Sequence, residues 1–213
     1  MLRWDWLSRN FDVVLSDLWE HVQIVFIALA LGVLIAFPIG LIAYRWRKAY
    51  APILAATQVL YTIPSLALFV LLINLVGLGQ EPVIIGLAIY SLVILVRNLV
   101  EGLRGVPPEV TDAATAMGYR DTKRLFAIEL PLALPAILAG LRVAAVSAIS
   151  LVSVGALIGT GGLGQLFIHG FQIDNPIEIW TGILLTIVLA LVVDLLIVGA
   201  GRLLTPWTRV SGR

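Results

Sequence analysis

Gly159-Thr160-Gly161-Gly162-Leu163-Gly164 has the G-x-G-x-x-G spacing with which a strand-to-helix turn presents backbone N–H groups to a dinucleotide pyrophosphate. That chemistry needs a strand before the glycines and a helix after them in a soluble βαβ unit. Here the run follows a long apolar segment instead, so close helix packing or a tight external re-entry accounts for the glycines. Contact with an extracytoplasmic protein is the other use open to it. The remaining reactive side chains form no catalytic set. With no cysteine there is no disulfide, thiolate nucleophile or cysteine-ligated metal, and the two histidines, His21 and His169, are too far apart for a local metal motif. Neither of the two lysines, Lys48 and Lys123, follows a glycine, so no G-x-x-x-x-G-K-[ST] phosphate loop exists and the chain cannot hydrolyse ATP by that route.

The elements that would carry any site are apolar. Of 213 residues 60% are hydrophobic and 13% charged, with mean hydropathy +1.03, which rules out a water-soluble enzyme. A net charge of +1 supplies no basic field for nucleic acid. A helix needs roughly 20 residues to cross the hydrocarbon layer. Five runs meet that length: 22–44, 52–78, 82–103, 134–158 and 177–204. Pro38 and Pro64 fall inside the first two and are expected to kink them, not to break them. The fold class expected is an all-α polytopic membrane protein of one transmembrane domain, 22–205, with segments 1–21 and 206–213 outside it. No secretory signal with a cleavage site is expected, because the first apolar run begins only at Val22 and is long enough to span.

Orientation follows from the basic residues. Residues 45–48 hold three, 97–133 hold five (Arg97, Arg104, Arg120, Lys123, Arg124) and the C-terminus three, while connections 79–81 and 159–176 hold none. The N-terminus is therefore expected outside and the C-terminus inside. Within 1–21, Trp4, Leu7, Phe11, Val14, Leu15 and Leu18 recur at three- and four-residue steps into Val22, which reads as an amphipathic interfacial helix packed around the bundle, with Trp4, Trp6 and Trp19 as anchors.

The connection 104–133 is long for a helical bundle and reads as functional. Pro107-Pro108 stops the preceding helix, and Glu109, Thr111 and Asp112 can begin another at its positive end. Ala113, Ala114 and Met117 make an apolar stripe, and Gly118 suits a left-handed cap that ends the helix after about two turns. Such a short helix can insert into a groove on a partner; an alanine-rich surface loop is the plainer alternative.

Asp112-Ala113-Ala114, three residues, Gly118, nine residues and Ile128-Glu129-Leu130-Pro131 resemble the EAA loop of ABC-importer permeases, E-A-A, three residues, G, nine residues, I-x-L-P, with Asp112 in place of the glutamate. Thr62-Ile63-Pro64-Ser65-Leu66-Ala67-Leu68, Arg97-Asn98 and 156–164 are similar to the osmoprotectant branch, which takes up glycine betaine, carnitine or choline; methionine importer permeases are similar in size and span count. The resemblance implies that Asp112, Ala113, Ala114, Met117, Gly118 and Arg120 form an ATPase-coupling helix. It also implies partners: cytoplasmic ABC ATPases that bind the ATP and Mg, a second permease chain, identical or related, and an extracytoplasmic solute-binding protein. This chain itself would be a non-catalytic subunit without cofactor or metal, multi-pass in a bacterial or archaeal cytoplasmic membrane. An ATP-independent channel is the rival class.

Arg142 and Asp194 lie inside apolar runs, where unpaired charge is costly. At helical rise they sit about 10 and about 12 Å from the inner end, so they are expected to pair, within one chain or across a dimer. The alternative is that Arg142 snorkels to the headgroups and Asp194 faces a wet cavity. Tyr61, Phe69 and Tyr90, with Ser65, are candidates for lining a pathway that attracts quaternary ammonium groups, against the plainer use of aromatics as packing. His21, Glu81 and Asp174 are expected near the outer surface and solvated.

Overall fold

The computed structural model describes residues 5–207, whose regular structure is entirely helical. A short helix, α1 (Asp5–Arg9), leads into α2 (Phe11–Arg45), which is 35 residues long and unbroken. The boundary expected near residue 21 thus falls inside one helix. Val14, with Trp6, Leu7 and Leu18, packs on Leu163 and Leu166, whereas Phe11, Leu15 and Trp19 are exposed; Trp4 lies outside the described residues. Pro38 removes one N–H from α2 yet leaves it continuous. The helix carries a stripe of small residues at four-residue steps, Ala28, Gly32, Ala36 and Gly40, all buried. A Cβ at Gly32 would lie 2.1 Å from Ser91 Oγ, and one at Gly40 2.5 Å from Leu99 Cδ2, so the stripe lets α2 lie directly against α5 (Glu81–Arg104).

α3 (Arg47–Thr62) and α4 (Ser65–Val76) differ from expectation: the chain breaks at Ile63-Pro64 and turns by 94°. Pro64 drives the preceding residue out of the helical region, and Ile63 has φ −65° and ψ 129°. The freed Ile63 carbonyl accepts the Tyr90 hydroxyl, so a partner on α5 stabilises the break. α5 is buried on most of its circumference and is the hub, touching α2, α3, α4 and α8 (Leu130–Val152). Ile24, Val25, Phe69, Val83, Leu87, Ile149 and Val152 form the largest core cluster.

Beyond α8 a 3-10 stretch, Ser153–Ile158, leads through the glycines to α9 (Gly164–Gln172) and α10 (Pro176–Leu204). The glycines are packing devices: a Cβ at Gly161 would sit 2.3 Å from Ala156 N, and one at Gly162 2.6 to 2.7 Å from His21 Cβ, Cα and N. α10 packs on α8 and α9 and turns much apolar surface outward. Among the described residues four helices are long and apolar enough to cross a membrane, and the bent α3–α4 pair has the length and composition of a fifth, as a broken span or a re-entrant loop. The 22–44, 82–103, 134–158 and 177–204 runs of the sequence lie in those four; the 52–78 run is the one whose internal geometry was misjudged.

Candidate coupling site and interior

Between α5 and α8 lie α6 (Pro108–Ala116), α7 (Asp121–Arg124) and a π turn, Leu125–Glu129. Pro108 is the first residue of α6, where its missing N–H costs no helical bond, so Glu109, Thr111 and Asp112 fall within its first turns. Within its first turn the Thr111 hydroxyl donates to Pro108 O at 2.8 Å. At the other end Gly118 has φ +84°, and Gly118 N–H and Tyr119 N–H donate to Thr115 O (2.9 Å) and Ala114 O (3.1 Å). These bonds satisfy carbonyls that the end of a helix leaves open.

Asp112, Ala113, Met117, Gly118 and Arg120 are exposed, Met117 to 70%. Ala114 is not: at 1% exposure it seats α6 on the protein. The stripe expected from sequence is therefore divided, with Ala113 and Met117, four apart, facing outward and Ala114 facing in. An exposed methionine beside a small residue is an adaptable apolar surface at the end of a short helix.

Beneath α6 is a polar network that the sequence did not reveal. Glu129 is 2% exposed, and each of its carboxylate oxygens has a donor: Arg124 Nε to Oε1 at 2.7 Å and Tyr44 O–H to Oε2 at 2.9 Å. Arg124 Nη1 donates in turn to Thr115 Oγ1 at 2.8 Å. Arg45 pairs with Asp121 at 2.9 Å, an exposed contact. The only sequence signal for Glu129 was its position as the variable residue of the I-x-L-P element.

Deeper in the bundle, Arg142 donates from Nε and Nη2 to the two oxygens of Asp194 at 2.7 and 2.8 Å, within one chain. This bidentate geometry matches the fork of arginine to a carboxylate. The aromatic candidates separate. Phe69 is fully buried in the core and cannot line a pathway, which corrects that expectation. Tyr90 is also buried, held by its bond to Ile63 O, and meets Tyr61 edge-on with ring centroids 5.5 Å apart. Tyr61 is exposed and Ser65 half-buried at the break, so these two remain at a surface.

At the opposite end His21 is completely buried, contrary to the solvated position expected. As α8 gives way to the 3-10 stretch, Ser153 N–H bonds to Leu151 O, and Ile149 O accepts from His21 Nε2 at 3.0 Å. Glu81 and Asp174 are exposed. A second buried carboxylate, Glu178, meets His169 Nδ1 at 2.6 Å and Asn175 Nδ2 at 3.3 Å. Among the described residues no three His, Asp or Glu side chains gather as a metal site.

Helices of membrane-crossing length around a hub, with an exposed two-turn helix hung between two of them, define a multi-pass membrane protein. The chain belongs to the family described as binding-protein-dependent transport system inner membrane component, matched over residues 24–210, and it is the permease subunit of an ABC importer. It is 34% identical over 200 residues to the choline transport system permease protein OpuBB of Bacillus subtilis, covering 94% of this chain and 92% of that one. It is 35% identical over 206 residues to the osmoprotectant import permease protein OsmW of Salmonella typhimurium, covering 94% and 96%. The fold is similar to that of the MetNI methionine ABC transporter in an inward-facing conformation, with TM-score 0.84 and 21% identity over 92% of this chain and 98% of that chain.

Proposed function

We propose that this permease imports a quaternary-ammonium compatible solute of the glycine betaine, choline or carnitine class, driven by ATP that a separate ATPase subunit hydrolyses. The observation that carries the ATP-driven part is the exposed helix α6, closed by Gly118 at φ +84°, in a chain without a phosphate loop. Its outward residues Asp112, Ala113, Met117 and Arg120 would enter a groove on the ATPase. The solute class rests on the relatives, named for choline and for osmoprotectant import. In this reading α6 lies on the cytoplasmic side, with the basic residues of 45–48 and 97–133, and the membrane is a bacterial inner membrane.

Transport is alternation between an outward and an inward state, each favoured by different ligands. ATP binding closes two ATPase subunits, displaces α6 in each of two permease chains and opens the route between them to solute delivered by an extracytoplasmic binding protein. In this reading Tyr61 and Ser65, accessible at the α3–α4 break, would face that route, where the ring face of Tyr61 suits a trimethylammonium group.

Uptake of labelled glycine betaine, choline and methionine into cells with and without the chain, before and after ATP depletion, tests this. Chain-dependent and ATP-dependent accumulation of betaine or choline is expected. Accumulation of methionine alone would overturn the solute class, and uptake that survives ATP depletion would overturn the coupling.

A further inference from the structure

We propose that Glu129 is a positioning residue that yokes α6 to the inner end of α2, so that displacement of α6 reaches the bundle through one buried carboxylate. The inference rests on the reading of α6 as the coupling helix and adds the route inward. Glu129 receives one hydrogen bond on each oxygen, and the donors belong to different elements: Arg124 of α7 and Tyr44 of α2. Arg124 spends a further N–H on Thr115 of α6. Three bonds of 2.7 to 2.9 Å thus run α6, Arg124, Glu129, α2 without a gap.

Neutralising a buried charge would need Arg124 alone. The Tyr44 phenol and the Thr115 hydroxyl add nothing to neutralisation; they add direction. A buried ion pair gives little net stability against an apolar replacement, so its geometry is the more informative feature. Glu129 also closes the π turn, in which Leu130 N–H bonds to Leu125 O. Pro131 follows and has no N–H for Ala127 O, and the extra residue of the wider turn shifts the phase of the helix so that residue 129 is buried. Single π turns of this kind recur at functional positions in helices.

Apolar contacts follow the same line. Phe37, Leu41 and Tyr44 of α2 and Leu125 and Leu130 pack on the same buried cluster of Leu99, Leu103 and Ala133, and the Phe37 and Phe126 rings lie 6.5 Å apart. α6 makes its main contacts with α7 and the π turn. A load applied to α6 is therefore passed first to the segment that holds Glu129, and from there to α2.

The test uses the whole importer, with its ATPase, both permease chains and the solute-binding protein, in proteoliposomes, reading labelled glycine betaine or choline moved per ATP hydrolysed. Tyr44→Phe removes one bond to Glu129 while keeping the ring; Glu129→Gln and Thr115→Val act at the other two joints. Each is expected to lower the transport-to-hydrolysis ratio by about two- to thirtyfold, the range for substitutions along a coupling route. The double variant Tyr44→Phe/Glu129→Gln should fall no further than Glu129→Gln alone, because both cut one line. A purely structural role would lower both rates together, and an unchanged ratio in Tyr44→Phe and Thr115→Val overturns the proposal even where Glu129→Gln fails to assemble. Absence of ATP-dependent uptake by the wild-type complex would refute the importer reading and this inference with it; coupled wild-type transport with unaffected variants would refute this inference alone.

Discussion

Gly162→Ala isolates the joint between the glycine run and α2. Gly162 has φ +48°, and the added Cβ would meet His21 Cβ, Cα and N at 2.6, 2.7 and 2.7 Å. Two of those atoms are backbone of a continuous helix, so no rotamer change relieves the contact, and α2 or the 159–164 loop must shift by about 1 Å to restore ordinary separation near 3.5 Å. The left-handed conformation costs an alanine about 1–2 kcal/mol and overpacking adds about 1–3. A total of roughly 2–5 kcal/mol corresponds to a fall in Tm of roughly 4–20 °C for a chain of this size. The purified complex can be melted while following the fluorescence of its six tryptophans. Gly199→Ala is the internal control, since nothing lies within 4 Å of its Cβ position, and it should leave Tm unchanged or raise it slightly. Equal melting of Gly162→Ala and Gly199→Ala would refute the claim that the glycines are there for close approach.

Other perturbations address the remaining joints. Arg142→Asp or Asp194→Arg alone should lower the amount of assembled protein in membranes, and the charge-swapped double variant should restore it; quantitative immunoblotting decides, and absence of rescue would count against the pair. His21→Ala leaves Ile149 O without its donor and should cost about 1–3 kcal/mol, seen as a lower Tm. Gly118→Trp forces a bulky side chain into φ +84° at the exposed end of α6, where the protein itself leaves open space. It should therefore abolish ATP-driven uptake with little loss of assembled chain; wild-type uptake would show that the ATPase does not dock there.

The sequence was most informative where a single physical cost dominates. Desolvation of the backbone makes long apolar runs helical, which is why α5 and α10 end within a residue or two of the expected bounds. Gly118 was legible as a cap because few residues other than glycine tolerate a positive φ. Pro64 misled because a proline in a membrane helix can kink or break it, and the outcome depends on whether a distant donor, here Tyr90, reaches the freed carbonyl. Burial of His21 and Phe69 depends on where α8 and α5 pass, which no local pattern records. Glu129 was hidden for the same reason: its partner Tyr44 stands 85 residues away, and only the tertiary fold brings the two together.

The length of α2 carries a mechanical consequence. His21 near one end is locked to Ile149 O and abutted by Gly162, while Tyr44 near the other reaches Glu129. The 23 residue steps from one to the other span about 35 Å at helical rise, so a pivot of about 5° at His21 sweeps Tyr44 through about 3 Å. That arc equals the length of one hydrogen bond. In the proposed reading the helix would act as a lever with its fulcrum at His21 and its handle at Tyr44, and a rotation too small to disturb the core would suffice to make or sever the handle's grip.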